Sequence, residues 1–299
     1  MKMKGYALGI ISAVSYGLIP IFILPIKQTN FSLDTTLFYR FFISALLLLP
    51  VLWYKKENLK ITPKELYVVV LLGLSYALSS EFLFMGYDLL SPGIASTILF
   101  IYPVFVALIM FLVFKEKLNR LTVLSLILAF SGVLTLSLKN NSFEINFPGL
   151  IVVLLSAFFY ALYILIVNQT KIKLSGFKLT FFSFLFTSLY FLVKAKFLGD
   201  SLLLPNVNML INFVVFAFVT TLISSLALVF AIKYIGSTPT AILGALEPVV
   251  AVAVSVLMFN EVLTINLILG ITLIIIAVIV NIISCLLYTS DAADDSLRV

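Results

Sequence analysis

Of 299 residues, 63% are hydrophobic and only 11% are charged, and the mean hydropathy is +1.22. A soluble domain is about half apolar and a quarter charged, so this chain belongs in a bilayer and has no soluble domain. The net charge of +6 is small and scattered, which speaks against a nucleic-acid partner. The single cysteine, Cys285, excludes an intramolecular disulfide, and the absence of histidine removes the commonest proton shuttle, triad base and metal ligand.

A membrane-spanning helix needs about 20 apolar residues. Ten such segments are predicted, near 5–25, 33–54, 65–89, 92–114, 120–138, 147–168, 177–197, 209–233, 239–259 and 264–286. The first begins with basic residues, as a signal peptide does. Its apolar run is too long and lacks a small-residue cleavage site, so it is read as a retained helix. The runs are continuous rather than alternating, which argues against barrel strands. The fold class expected is therefore an all-α membrane protein of ten transmembrane helices.

Lysine and arginine in the connections set the orientation. With the N-terminus inside, the inner side carries Lys2, Lys4, Lys55, Lys56, Lys60, Lys64, Lys115, Lys117, Arg120, Lys171, Lys173, Lys178 and Lys233. The outer side carries only Lys27, Lys139, Lys194 and Lys196. Both termini are accordingly expected in the cytoplasm, with the chain in the plasma membrane (a bacterial inner membrane). After the last apolar run the sequence turns abruptly polar and acidic. Residues 287–299 are set apart as a non-native or disordered tail.

The chain also repeats itself. The segment Gly236–Glu261 falls on Ser91–Glu116 after a shift of 145, which places Pro248 on Pro103, Glu261 on Glu116 and Leu263 on Leu118. At a shift of 144, Ser12, Ala13 and Tyr16 fall on Ser156, Ala157 and Tyr160. Residues 1–140 and 145–286 are thus two copies of a five-helix unit. Five is odd, so the second copy enters the membrane inverted, as in transporters whose halves rock about a shared site.

Together, G-x6-SA-x2-Y in the first segment, YPV followed by KEKL, and LEPV followed by NEVL resemble the EamA-type family of the drug/metabolite transporter superfamily. The resemblance spans about 280 residues and both repeats. It implies a ten-helix fold with a central cavity between the halves and transport without nucleotide hydrolysis. The sequence departs at one place: Tyr102 stands where the second repeat has Glu247, so an acid at this position is single.

Ionisable residues inside a span tend to face a cavity or a partner. Glu247 shares a helical face with Thr240, Gly244, Ala251 and Ser255, and Pro248 is expected to kink the helix beside it. It reads as a ligand for an amine or as a proton carrier, with a hydrogen-bonded packing acid as the alternative. Arg40 and Glu81 lie at similar depth and are expected to form an ion pair or to share an aqueous pocket. Asp88 and Lys233, near span ends, are expected to snorkel to the interface. Tyr16, Tyr160, Tyr163 and Tyr102 are candidates for the cavity wall, with interhelical packing as their alternative. Gly5, Gly9 and Ala13, and Ala241 with Ala245, are read as close-packing positions.

The function expected is secondary transport of a small amphipathic metabolite, an amino acid or related compound, by alternating access in the export direction. Drugs, purines or sugars are alternative cargoes, and a membrane scaffold or enzyme is the alternative class. No catalytic residue, metal or cofactor is assigned, and the chain is not expected to be an enzyme. The expected partners are the small-molecule substrate and the lipid bilayer, with proton coupling and a homodimer left open.

Overall fold

A computed structural model describes residues 2–27, 31–115, 120–136, 146–169, 174–204, 206–235, 240, 243–244, 246–260 and 262–296. Among these residues every regular element is helical and none is a strand. Hydrocarbon offers no partner to a backbone N–H or C=O, so an apolar run closes its hydrogen bonds within itself. The expected loop residues Glu116, Lys117, Lys139, Lys171, Lys173 and Glu261, with Ala241 and Ala245, lie outside the described residues. The side chain of Lys233 does too.

The first repeat contains α1 (Lys2–Gly17), α2 (Ile19–Lys27), α3 (Leu33–Tyr54), α4 (Pro63–Leu89), α5 (Pro92–Leu99), α6 (Tyr102–Phe114) and α7 (Arg120–Leu136). The second contains α8 (Phe147–Gln169), α9 (Gly176–Leu198), α10 (Val207–Phe216), a π turn (Ala217–Ile223), α11 (Ser224–Ile235), α12 (Leu246–Phe259) and α13 (Ile265–Ser296). Among the described residues, seven helical stretches are long and apolar enough to cross a membrane; Val123–Gly132, Leu246–Phe259 and Ile265–Val280 are shorter apolar helices. Seven of the ten expected spans thus stand at full crossing length, and the other three coincide with the shorter helices. The backbone of α13 runs on as helix into the polar stretch after 286.

Three expected single helices are broken, two of them beside a proline. Pro20 and Pro103 supply no backbone N–H, and new helices begin beside them at Ile19 and Tyr102. The third break is the π turn between α10 and α11, the kind of irregularity often found at functional sites.

The main pairings join one repeat to the other: α1 with α11, α4 with α8, α3 with α9, α5 with α12 and α7 with α13. Lipid tails are as apolar as leucine, so close approach and interhelical hydrogen bonds hold such pairs. The duplication makes these contacts reciprocal. Ser12 Oγ donates to the Ser224 carbonyl at 2.9 Å, and its counterpart Ser156 donates to the Ser79 carbonyl at 2.6 Å. Gly5 lies against Tyr234 and Ile235, while Gly149 lies against Leu89 and Leu90. A Cβ on Gly5 would come within 2.5 Å of Ile235, and one on Gly149 within 2.8 Å of Leu90, so only glycine permits this packing. The close-packing reading of Gly5 and Gly9 holds: Gly9 meets Leu243 directly.

Candidate functional site

The broken segments converge on the middle of the bundle, where tyrosines from both repeats collect. Tyr160 of α8 stacks with Tyr16 and Tyr163 at 6.2 Å each and meets Tyr102 edge-on at 4.7 Å. Tyr76 of α4 joins through Tyr163 at 5.1 Å. These separations are those of favourable ring pairs. All four tyrosines expected from the sequence are therefore brought together, and Tyr76 is a fifth.

Glu247 enters this cluster from the first turn of α12, where a carboxylate also suits the positive end of the helix. It lines a small cavity with Tyr16, Gly17, Tyr87, Ser96 and Ala251. The cavity measures about 10 Å³, room for about one water molecule. Gly244 marks how tightly the two repeats meet. A Cβ there would lie 3.3 Å from the Tyr102 hydroxyl and 3.9 Å from Glu247 Oε1. Among the described residues, Glu247 has no hydrogen-bond or ion-pair partner.

Arg40 faces the same region from α3. Its side chain is fully buried, and its Nε donates to Thr221 Oγ1 of the π turn at 2.8 Å. One helical turn further on, Ser44 Oγ donates to the Ala217 carbonyl, so the two bonds anchor one face of α3 to the π turn. The guanidinium lies over the rings of Phe216, Phe84 and Phe41 at 5.0–5.4 Å. One of its terminal nitrogens, Nη2, is buried without a hydrogen-bond partner. Tyr16 and Tyr76 stand within electrostatic reach of both Arg40 and Glu247.

The expected Arg40–Glu81 ion pair is not formed. Glu81 instead accepts from the Tyr190 hydroxyl at 2.9 Å and from the Lys194 ammonium, which also lies 3.0 Å from Asp34. Depth did match, since Arg40 and Glu81 sit about 10 and 12 Å from their helix ends at 1.5 Å per residue. Azimuth did not: Arg40 shares the face of Ser44 toward the π turn, whereas Glu81 faces α9. Above this cluster the segment after α9 is clasped to the start of α3. Ser32 donates to Asp200, Thr35 to the Ser201 carbonyl at 3.2 Å and Tyr39 to the Leu202 carbonyl at 2.6 Å.

The structure thus gathers Tyr16, Tyr102, Tyr160, Tyr163, Glu247 and Arg40, and places Glu81 in a separate cluster. Sequence reasoning missed Tyr76, Tyr87, Thr221, Asp34 and Lys194. Lys194 left a signal, because it lies inside an apolar run four residues after Tyr190 on one helical face. Lys194 is thus part of α9 and not of the outer connection. Asp88 is exposed at the end of α4, as expected of a residue that snorkels.

These features define a multi-pass helical membrane protein of two repeats, with a carboxylate among tyrosines, unpaired among the described residues, and a guanidinium against three phenylalanines at the repeat interface. The model of the EamA-like transporter family matches residues 3–138 and 147–283, and the chain belongs to that family. It is therefore a transporter of some small substrate rather than an enzyme. It is 27% identical over 210 residues to the uncharacterized transporter YdfC of Bacillus subtilis (strain 168), covering 69% of this chain and 68% of that protein. A solved crystal structure superposes with a TM-score of 0.67, covering 94% of this chain and 96% of the other. At 14% identity that likeness carries the fold alone.

Proposed function

We propose that this protein is a secondary transporter that exports a zwitterionic small metabolite, an amino acid or related compound, by alternating access. The observation that carries the reading is a carboxylate at the central cavity and a guanidinium nitrogen near it that both stand without a hydrogen-bond partner among the described residues. Glu247 has no partner among the described residues, and Nη2 of Arg40 is buried without one. A packing core does not leave buried ionic groups open, because each costs several kcal/mol in hydrocarbon. A ligand with an ammonium for Glu247 and a carboxylate for Arg40 would satisfy both, and the rings of Tyr16, Tyr76 and Tyr160 would take its apolar body. The α3 clasp and the Lys194 cluster then lie on the side assigned as outer.

In this reading both termini face the cytoplasm, the membrane is the bacterial inner membrane, and Glu247 carries the proton if export is proton-coupled. Nucleic acid has no role, and a homodimer is compatible with the fold. Drugs, purines and sugars are the alternative cargoes.

Reconstituted vesicles separate these readings. Saturable uptake or exchange of amino acids, lost in Glu247→Gln and Arg40→Gln, is expected. Activity confined to uncharged sugars would remove the zwitterion. No flux of any amino acid or related zwitterion would overturn the proposed substrate class.

A further inference from the structure

Helices α3 and α9 pack against one another, and a shift of 143 relates them: Ser32, Thr35, Phe41 and Ser44 fall on Ser175, Lys178, Phe184 and Thr187. Where they meet, equivalent residues face each other. The rings of Phe41 and Phe184 lie 6.0 Å apart. Ser44 donates to the Ala217 carbonyl of the second repeat, and Thr187 donates to the Gly73 carbonyl of the first at 2.9 Å. Groups far from this meeting point travel furthest when one half rocks on the other.

At those far ends each repeat grips the other, and the grips are reciprocal. Ser32 and Ser175 cap their helices alike, each accepting from the N–H three residues on. At one end Thr35 of α3 donates to the Ser201 carbonyl, in the segment that follows α9, with Tyr39 on the Leu202 carbonyl beside it. At the other end Lys178 of α9, the counterpart of Thr35, donates from its ammonium to the Lys60 carbonyl, in the segment that follows α3.

The two ends are unequal. At the Thr35 end, Lys194 of α9 donates to Glu81 of α4 and lies 3.0 Å from Asp34 of α3, so an ionic cluster spans the repeats. The counterparts of Asp34 and Lys194 are Phe177 and Val51, which carry no charge. At the Lys178 end the Lys55 ammonium lies over the Phe177 ring instead, at 4.9 Å. Parting a buried carboxylate from its ammonium costs more than lifting an exposed lysine off a ring.

We propose that these ends are two latches that release one at a time, and that the Lys178 end, on the lysine-rich face, releases more readily. This rests on the alternating-access part of the proposed function and not on the cargo.

Spin-label distances in lipid nanodiscs without substrate, in a Cys285→Ser background, test it. The pair Leu59→Cys and Tyr234→Cys spans the Lys178 end, and Leu89→Cys and Leu203→Cys spans the Thr35 end; all four positions are exposed. Without further substitution, the longer-distance population should be larger at the Lys178 end. Lys178→Met should raise the open-to-closed ratio there about tenfold and leave the Thr35 end unchanged. Lys178→Arg keeps the donor and should keep the original ratio. Lys194→Met should open the Thr35 end alone; if it does not fold, Thr35→Val with Tyr39→Phe takes its place. Unchanged distances in these variants, movement at the wrong end, or a larger open population at the Thr35 end before substitution would each overturn the proposal. Distance changes without any flux in vesicles would remove the transport reading and leave the latches, whereas flux with unchanged distances would remove the latches alone.

Discussion

Tyr102 and Glu247 occupy equivalent places in the two repeats, each just before a proline in the first turn of a helix, and they approach the same point beside Gly244. Duplication set two positions facing one another, and substitution made one an acid and the other a phenol. A side chain at Gly244 enters the space between them, where Phe100 also lies 3.4 Å away. Gly244→Leu should therefore sharply reduce transport, whereas Gly244→Ala, at the edge of ordinary contact, should reduce it less. Equal activity of wild type and the leucine variant would show that this interface does not move during transport.

On the proposed reading Glu247 would be the proton carrier, since Asp34 and Glu81 are engaged with Lys194. Glu247→Gln keeps the shape and removes the charge. Proton-driven accumulation should fall by more than tenfold, and substrate exchange at equal pH by much less. Matching losses in both assays would make Glu247 a ligand rather than a carrier.

The two ionic clusters predict opposite outcomes in double-mutant cycles read by thermal stability. Glu81 and Lys194 touch, so their alanine variants should couple by about 0.5–3 kcal/mol. Arg40 and Glu81 share no hydrogen-bond or ion-pair partner among the described residues, so their losses should add to within about 0.5 kcal/mol. A large Arg40–Glu81 coupling would restore the pairing expected from depth.

Removing Arg40 alone should be severe. Its guanidinium is fully buried against three rings and one hydroxyl, and Arg40→Ala leaves Thr221 without its donor. A loss of about 2–4 kcal/mol is expected, with Arg40→Lys recovering only part because an ammonium cannot reproduce the planar contact. An unchanged melting temperature would mean that the π turn does not depend on this bond.

Orientation is open to a direct labelling experiment. In a Cys285→Ser background, a cysteine at Lys60 should be shielded from an impermeant thiol reagent in whole cells. One at the exposed Leu203 should react. The reverse pattern would invert the assignment of the two faces.

Composition, run length and self-similarity determined that this is a helical membrane protein of two repeats, because burial of backbone polar groups in hydrocarbon is a local constraint on each segment. The same local reasoning found the four tyrosines and Glu247, since equivalent positions in a duplicated fold face the same interface. The breaks were only partly legible. Prolines 20 and 103 mark two of them, but no residue type announces the π turn on which Arg40 rests. Partner choice was left to the tertiary structure. Sequence spacing places Arg40 and Glu81 at one depth, while the rotation of α3 and α4 against α9 and the π turn sends one to Thr221 and the other to Lys194. Depth follows from counting residues along one helix, whereas azimuth depends on how every neighbouring helix packs, and that information is not held in any single segment.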